Sequence, residues 1–272
     1  MQLLKKIMFY VFLIGSCDAL AVEEKYMNVN NVEVYIKNYN SEKITQRQVN
    51  TLKTQIINNQ MFLNNYINKL NINLTIIKNS NEISYSNGNM YDCRINLSYK
   101  NLEQPVLLND MNTDILFTIL HETAHCILTK DVMYKPLIWD SVSLKQQKKL
   151  QSLIDIQESN YLHNKAKVPP MLVYHEIFAD TFASIVLQNY DSINYESNLN
   201  QLIMVRSQKL HDKEESHLSV DALQSVKKLK LKKHKLKIEE IYAISIKVSQ
   251  ASFIKYLENQ HNLFKNNSLK GK

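Results

Sequence analysis

Apolar residues recur along this chain in two rhythms, and the change from one to the other divides it. Val32-Glu33-Val34-Tyr35-Ile36 alternates and predicts a short strand in an otherwise polar stretch, 22–43. Between Thr45 and Leu70 the positions Val49, Leu52, Ile56, Ile57, Met61, Phe62, Tyr66, Ile67 and Leu70 follow helical spacing and predict a long amphipathic helix. Ile72–Ile77, Ile83–Ser86 and the alternating run Cys93–Tyr99, with a turn signal at Asn87-Gly88-Asn89, predict a small antiparallel sheet. After Asn101 only helical periodicity remains, over Asp114–Thr129, Leu144–Tyr161, Tyr174–Tyr190, Leu199–Leu210, His217–Leu231 and Ile238–Gln260. Pro136 and Pro169-Pro170 punctuate the first part of this run. The expected fold class is α+β, with a small antiparallel sheet packed on the first helices and a mostly helical C-terminal part.

Composition agrees with a helix-rich globular chain. Of 272 residues 44% are hydrophobic, and only three are Gly and four Pro, too few for the many tight turns of a sandwich or barrel. Lys5 and Lys6, the apolar run Ile7–Gly15 and Ala19-Leu20-Ala21 have the layout of a secretory signal peptide cleaved after Ala21. The expected product is exported, periplasmic or secreted, with a core over 22–190 and a helical part over 191–272. Leu13–Cys17 bears a fainter likeness to a lipoprotein processing site, with anchoring at Cys17. Cleavage leaves Cys93 and Cys126, which stand as either a disulfide or two thiols.

The chemistry is concentrated in His121-Glu122-Thr123-Ala124-His125, which follows directly on the apolar run Ile115–Leu120. Residues four apart share a helix face, so both imidazoles can point at one metal ion while Glu122 stands beside them as general base. A catalytic zinc needs a third protein ligand and an open position. In Tyr174–Ala183 two acids again stand four apart, which makes Glu176 the candidate ligand and Asp180 the acceptor for the outer nitrogen of a liganding histidine. Asp131, six residues after His125, is a rival third ligand, although Leu128 stands where a glycine turn would be needed; His175 is another.

His121–His125 and Glu176-x-x-x-Asp180 together resemble the zincin metallopeptidases of the glutamate-zincin branch, and Asn89–Asp92 leading into Ile95–Tyr99 is similar to bacterial putative metallopeptidases of unknown substrate. The resemblance implies a zincin-like fold with Zn2+ held between two helices by His121, His125 and Glu176, Glu122 as base and Asp180 behind the ligands. It implies hydrolysis of peptide bonds in a peptide or protein substrate, with the strand Cys93–Tyr99 receiving extended substrate along its edge. A Tyr or His stabilising the oxyanion is also implied, for which Tyr161, Tyr174, Tyr190 and His211 are candidates. The competing reading is a catalytically silent zincin-fold protein that binds a peptide or partner. Lys227–Lys237 holds seven lysines in eleven positions, a run that attracts an anionic membrane surface or an acidic partner if it is more than a solvated helix end; an exported chain makes nucleic acid an unlikely target.

Overall fold

The computed structural model describes residues 22–29, 32–38, 71–77, 85–89, 92–98, 107–132, 143–163, 166, 168–190, 194–211, 219–229 and 236–270, with scattered positions between 47 and 54. The signal segment 1–21, most of the helix expected over Thr45–Leu70 and most of the lysine tract lie outside the described residues.

Five strands, β1 (Val22–Val29), β2 (Val32–Asn38), β3 (Asn71–Ile77), β4 (Tyr85–Asn89) and β5 (Asp92–Ser98), are followed by six helices. The helices are α1 (Met111–Val132), α2 (Leu144–Leu162), α3 (Pro170–Tyr190), α4 (Tyr195–His211), α5 (Val220–Lys228) and α6 (Ile238–Lys270).

The expected α+β, zincin-like domain with a small antiparallel sheet is corrected here. Among residues described with their side chains, 86% are helical, and the only strand among them is the segment 94–97. The packed body is therefore a helical assembly. The strands themselves, described by their backbone, are ordered β1-β2-β3-β5-β4, and their pairing is mixed. β3 lies parallel to both β2 and β5, while β1–β2 and β4–β5 are antiparallel. Alternation reports which face a residue takes but not which strand it pairs with. Asn87-Gly88-Asn89 forms no turn but lies within β4, where Gly88 pairs with Cys93. β1 was not anticipated, because Val22–Val29 is too polar to alternate cleanly.

The helices follow their apolar periodicity more closely. α1 is apolar on nearly every side and is buried along most of its length, from Asp114 to Leu128. It packs against α3 on one side and β4 and β5 on another. Asp110 caps it, its Oδ2 accepting from the Thr113 amide at 2.8 Å. Inside the buried helices, hydroxyls turn back to the preceding turn: Thr123 donates to the Ile119 carbonyl at 2.7 Å and Thr181 to that of Ile177 at 2.6 Å. Pro170 opens α3, a position where its missing N–H and fixed φ cost nothing. α3 also packs on α6, where Phe178 meets Tyr242 and Tyr174 meets Phe253 at centroid distances of 5.7 and 5.3 Å. One hydrophobic cluster runs from Ile95 through α1 and α3 to Phe253 and Leu257 of α6.

Cys126, the residue after His125, is disulfide-bonded. Cys93 stands on β5, which packs on the same helix. Peptide mapping of the unreduced chain is expected to recover Cys93 and Cys126 in one linked fragment; two free thiols, or a Cys126 fragment linked elsewhere, would refute that pairing.

Candidate metal centre

Two buried helices bring the chemistry together. His121 and His125 lie one turn apart on α1, and Glu176 projects from α3, which packs along it; the small side chains of Ala124, Ala179 and Ala183 are fully buried. His121 Nε2 is 3.1 Å from His125 Nε2 and 3.4 Å from Glu176 Oε2, and His125 Nε2 is 3.4 Å from Glu176 Oε1. Two ligands held at zinc's usual distance in a tetrahedron stand about 3.3 Å apart. Each nitrogen faces its own oxygen of Glu176, so the carboxylate straddles the imidazole pair at spacings close to that value, and the N, N and O donors suit zinc. These three residues are the one such group of His, Cys, Asp or Glu among the described residues.

The electrostatics follow from burial of this cluster. His121 is desolvated, which opposes its charge, but the Asp180 and Glu176 carboxylates outweigh that and raise it to about 10. His125 goes the other way, to about 3, through burial and then the charge of His121.

Asp180 is fully buried beside His121. Its Oδ1 is 2.8 Å from His121 Nδ1. Burial works against the carboxylate's charge, yet Arg206 and then His121 hold it well below the usual range. Arg206 Nε and Nη2 donate to Oδ2 and Oδ1 at 2.7 and 2.8 Å, and the Ser219 hydroxyl donates to Oδ2. Neither Arg206 nor Ser219 was anticipated. Arg206 had a signal, since it stands four residues after Leu202 and seven after Leu199 on the buried stripe of α4. Ser219 had none.

Glu122 is 5% exposed, between the two histidines in sequence, and its charge is felt by Arg206. Asp131 falls within α1, whose backbone runs on helically to Val132 and makes no turn after His125. His175 is not one of the three donors, but its half-buried ring stacks near that of His125, with centroids 6.4 Å apart and planes at 24°.

Of the oxyanion candidates, Tyr174 is fully buried against α6, and Tyr161 stands 39% exposed at the end of α2. The side chains of Tyr190 and His211 lie outside the described residues. The strand expected to receive substrate, Cys93–Tyr99, corresponds to β5, which is flanked on both sides by β3 and β4 and has no open edge; the edge strand beside α1 is β4.

No model of a known protein family matches the chain, and no characterised protein or solved structure matches it. Among the described residues no helix is long and apolar enough to cross a membrane.

Proposed function

We propose that this chain is a zinc-dependent peptidase, with His121, His125 and Glu176 as ligands and Glu122 as general base. The observation that carries the reading is the convergence of His121 Nε2, His125 Nε2 and the Glu176 carboxylate, the nitrogens 3.1 Å apart and each 3.4 Å from one carboxylate oxygen. Zinc, when bound, supplies a Lewis acid that polarises a carbonyl and brings a water's pKa near 7. Glu122 accepts the proton of the attacking water and delivers it to the leaving amine. Asp180 holds His121 in the tautomer that presents Nε2 to the metal. Extended substrate pairs with the edge of β4, the outer strand beside the metal helix.

Zincins of the glutamate branch share the two motifs carried by α1 and α3, and this likeness supports peptide or protein as the substrate. The disulfide at Cys126 supports export to an oxidising compartment. The decisive experiment measures zinc in the purified mature chain together with hydrolysis of a denatured protein substrate. About one zinc per chain and chelator-sensitive cleavage are expected; a metal-free chain whose stability zinc does not change would overturn the reading.

We take His175, whose ring stacks near that of His125 and is partly open to solvent, as the donor to the developing oxyanion. His175→Ala is expected to lower kcat about 100-fold or more with zinc content and KM little changed. Loss of zinc in this variant would make His175 a ligand instead.

A further inference from the structure

The two helices that follow α3 reach back to the metal centre through a single carboxylate. Arg206 of α4 is 3% exposed, and its guanidinium grips both oxygens of Asp180 in a bidentate pair. Ser219 occupies the N-cap position of α5, where a serine hydroxyl ordinarily satisfies a backbone N–H of the first turn. Here it makes no capping bond and donates to Asp180 Oδ2 instead. A side chain diverted from its local task, and a buried cation whose fork closes on Asp180, both point at the same carboxylate. Asp180 in turn meets His121 Nδ1 at 2.8 Å.

We infer that Arg206 and Ser219 are positioning residues for the metal: they fix Asp180, and through it the ring of His121, so that zinc affinity is set partly by helices contributing no ligand. The inference rests on the reading of His121, His125 and Glu176 as zinc ligands. Its chemistry is geometric as well as electrostatic. Asp180 has two oxygens, and with Arg206 spanning both and Ser219 on one, the carboxylate plane cannot rotate away from the histidine. The guanidinium also balances the Asp180 charge, and it lies within electrostatic reach of Glu176 and Glu122. A lysine could supply that charge but not the planar fork.

The test compares zinc affinity, by competition with a chromophoric chelator, in the full mature chain and in Arg206→Met, Arg206→Lys, Ser219→Ala and Leu202→Ala. Leu202 is buried on the same helix as Arg206 but lies in its apolar packing. Removing either partner of Asp180 is expected to weaken zinc about 10- to 100-fold, as loss of support behind a ligand does elsewhere. Arg206→Lys should recover part of that loss. Leu202→Ala should lower the thermal midpoint and leave zinc affinity within about twofold, because an apolar side chain makes no hydrogen bond to Asp180. The visible absorption bands of the cobalt-substituted protein should shift in the Arg206 and Ser219 variants and stay put in Leu202→Ala. Wild-type affinity in both Ser219→Ala and Arg206→Lys overturns the inference even if Arg206→Met fails to fold, and so does an equal loss in Leu202→Ala. A wild-type chain that binds no zinc removes the metal centre itself, an outcome distinct from a zinc-binding chain indifferent to these substitutions.

Discussion

Glu122→Gln is expected to lower kcat by about 10²- to 10⁴-fold while zinc content stays near one per chain, measured by metal analysis and peptide hydrolysis on the same preparation. Glutamine has nearly the shape of glutamate, so the substitution tests proton transfer with little change in packing. That matters at a residue only 5% exposed within a helix buried on nearly every side, where a change of volume would disturb α1 and both histidines with it. No ligand is touched. If zinc were lost, Glu122 would be part of the coordination; if hydrolysis continued at the wild-type rate, the general-base mechanism would fail although the metal centre stood. The variant therefore separates metal binding from catalysis, which the two histidines alone do not, since a silent zinc protein needs His121 and His125 but has no use for a buried carboxylate between them.

The periodicity of the helices was legible because their apolar faces are long and nearly uninterrupted. α1 and α3 extend beyond their expected bounds only at the ends, where Asp110 and Pro170 start them for reasons of capping and φ rather than hydrophobicity. Strand pairing was far less legible. Ile72–Ile77 and Cys93–Tyr99 alternate as strands should, but nothing in alternation says that β3 and β5 run side by side in parallel with β4 displaced to the edge. That ordering makes β4, and not β5, the edge strand beside α1. At the metal centre, spacing within a helix brought out His121, His125, Glu176 and Asp180, because i and i+4 fix a common face whatever the fold around them. The connection between the helices, and the partners arriving from α4 and α5, are long-range facts. Arg206 interrupts an apolar stripe, the one local sign that a buried charge was waiting for a partner.

Glu176→Ala is expected to weaken zinc more than about 100-fold, exceeding the loss typical of residues that only support a ligand, whereas Asp131→Ala should leave affinity unchanged. The convergence of these three residues explains the asymmetry. With Glu176 gone, two nitrogens 3.1 Å apart remain on one helix, and zinc loses both a third donor and the negative charge that offsets its own. Asp131 belongs to a different geometry, in which the chain turns after the second histidine and returns to the metal; α1 instead runs on to Val132 as a helix. A second readout follows from linkage, since a metal that binds only the folded chain raises its stability by an amount that grows with metal concentration over Kd, about 2.7 kcal/mol at a hundredfold excess. Titrating zinc during thermal unfolding should therefore raise the midpoint of the wild type and of Asp131→Ala, and scarcely move that of Glu176→Ala at the same concentrations. The reverse ranking would place the third ligand on α1 and leave Glu176 as an acid lying between two helices, without a part in holding the metal.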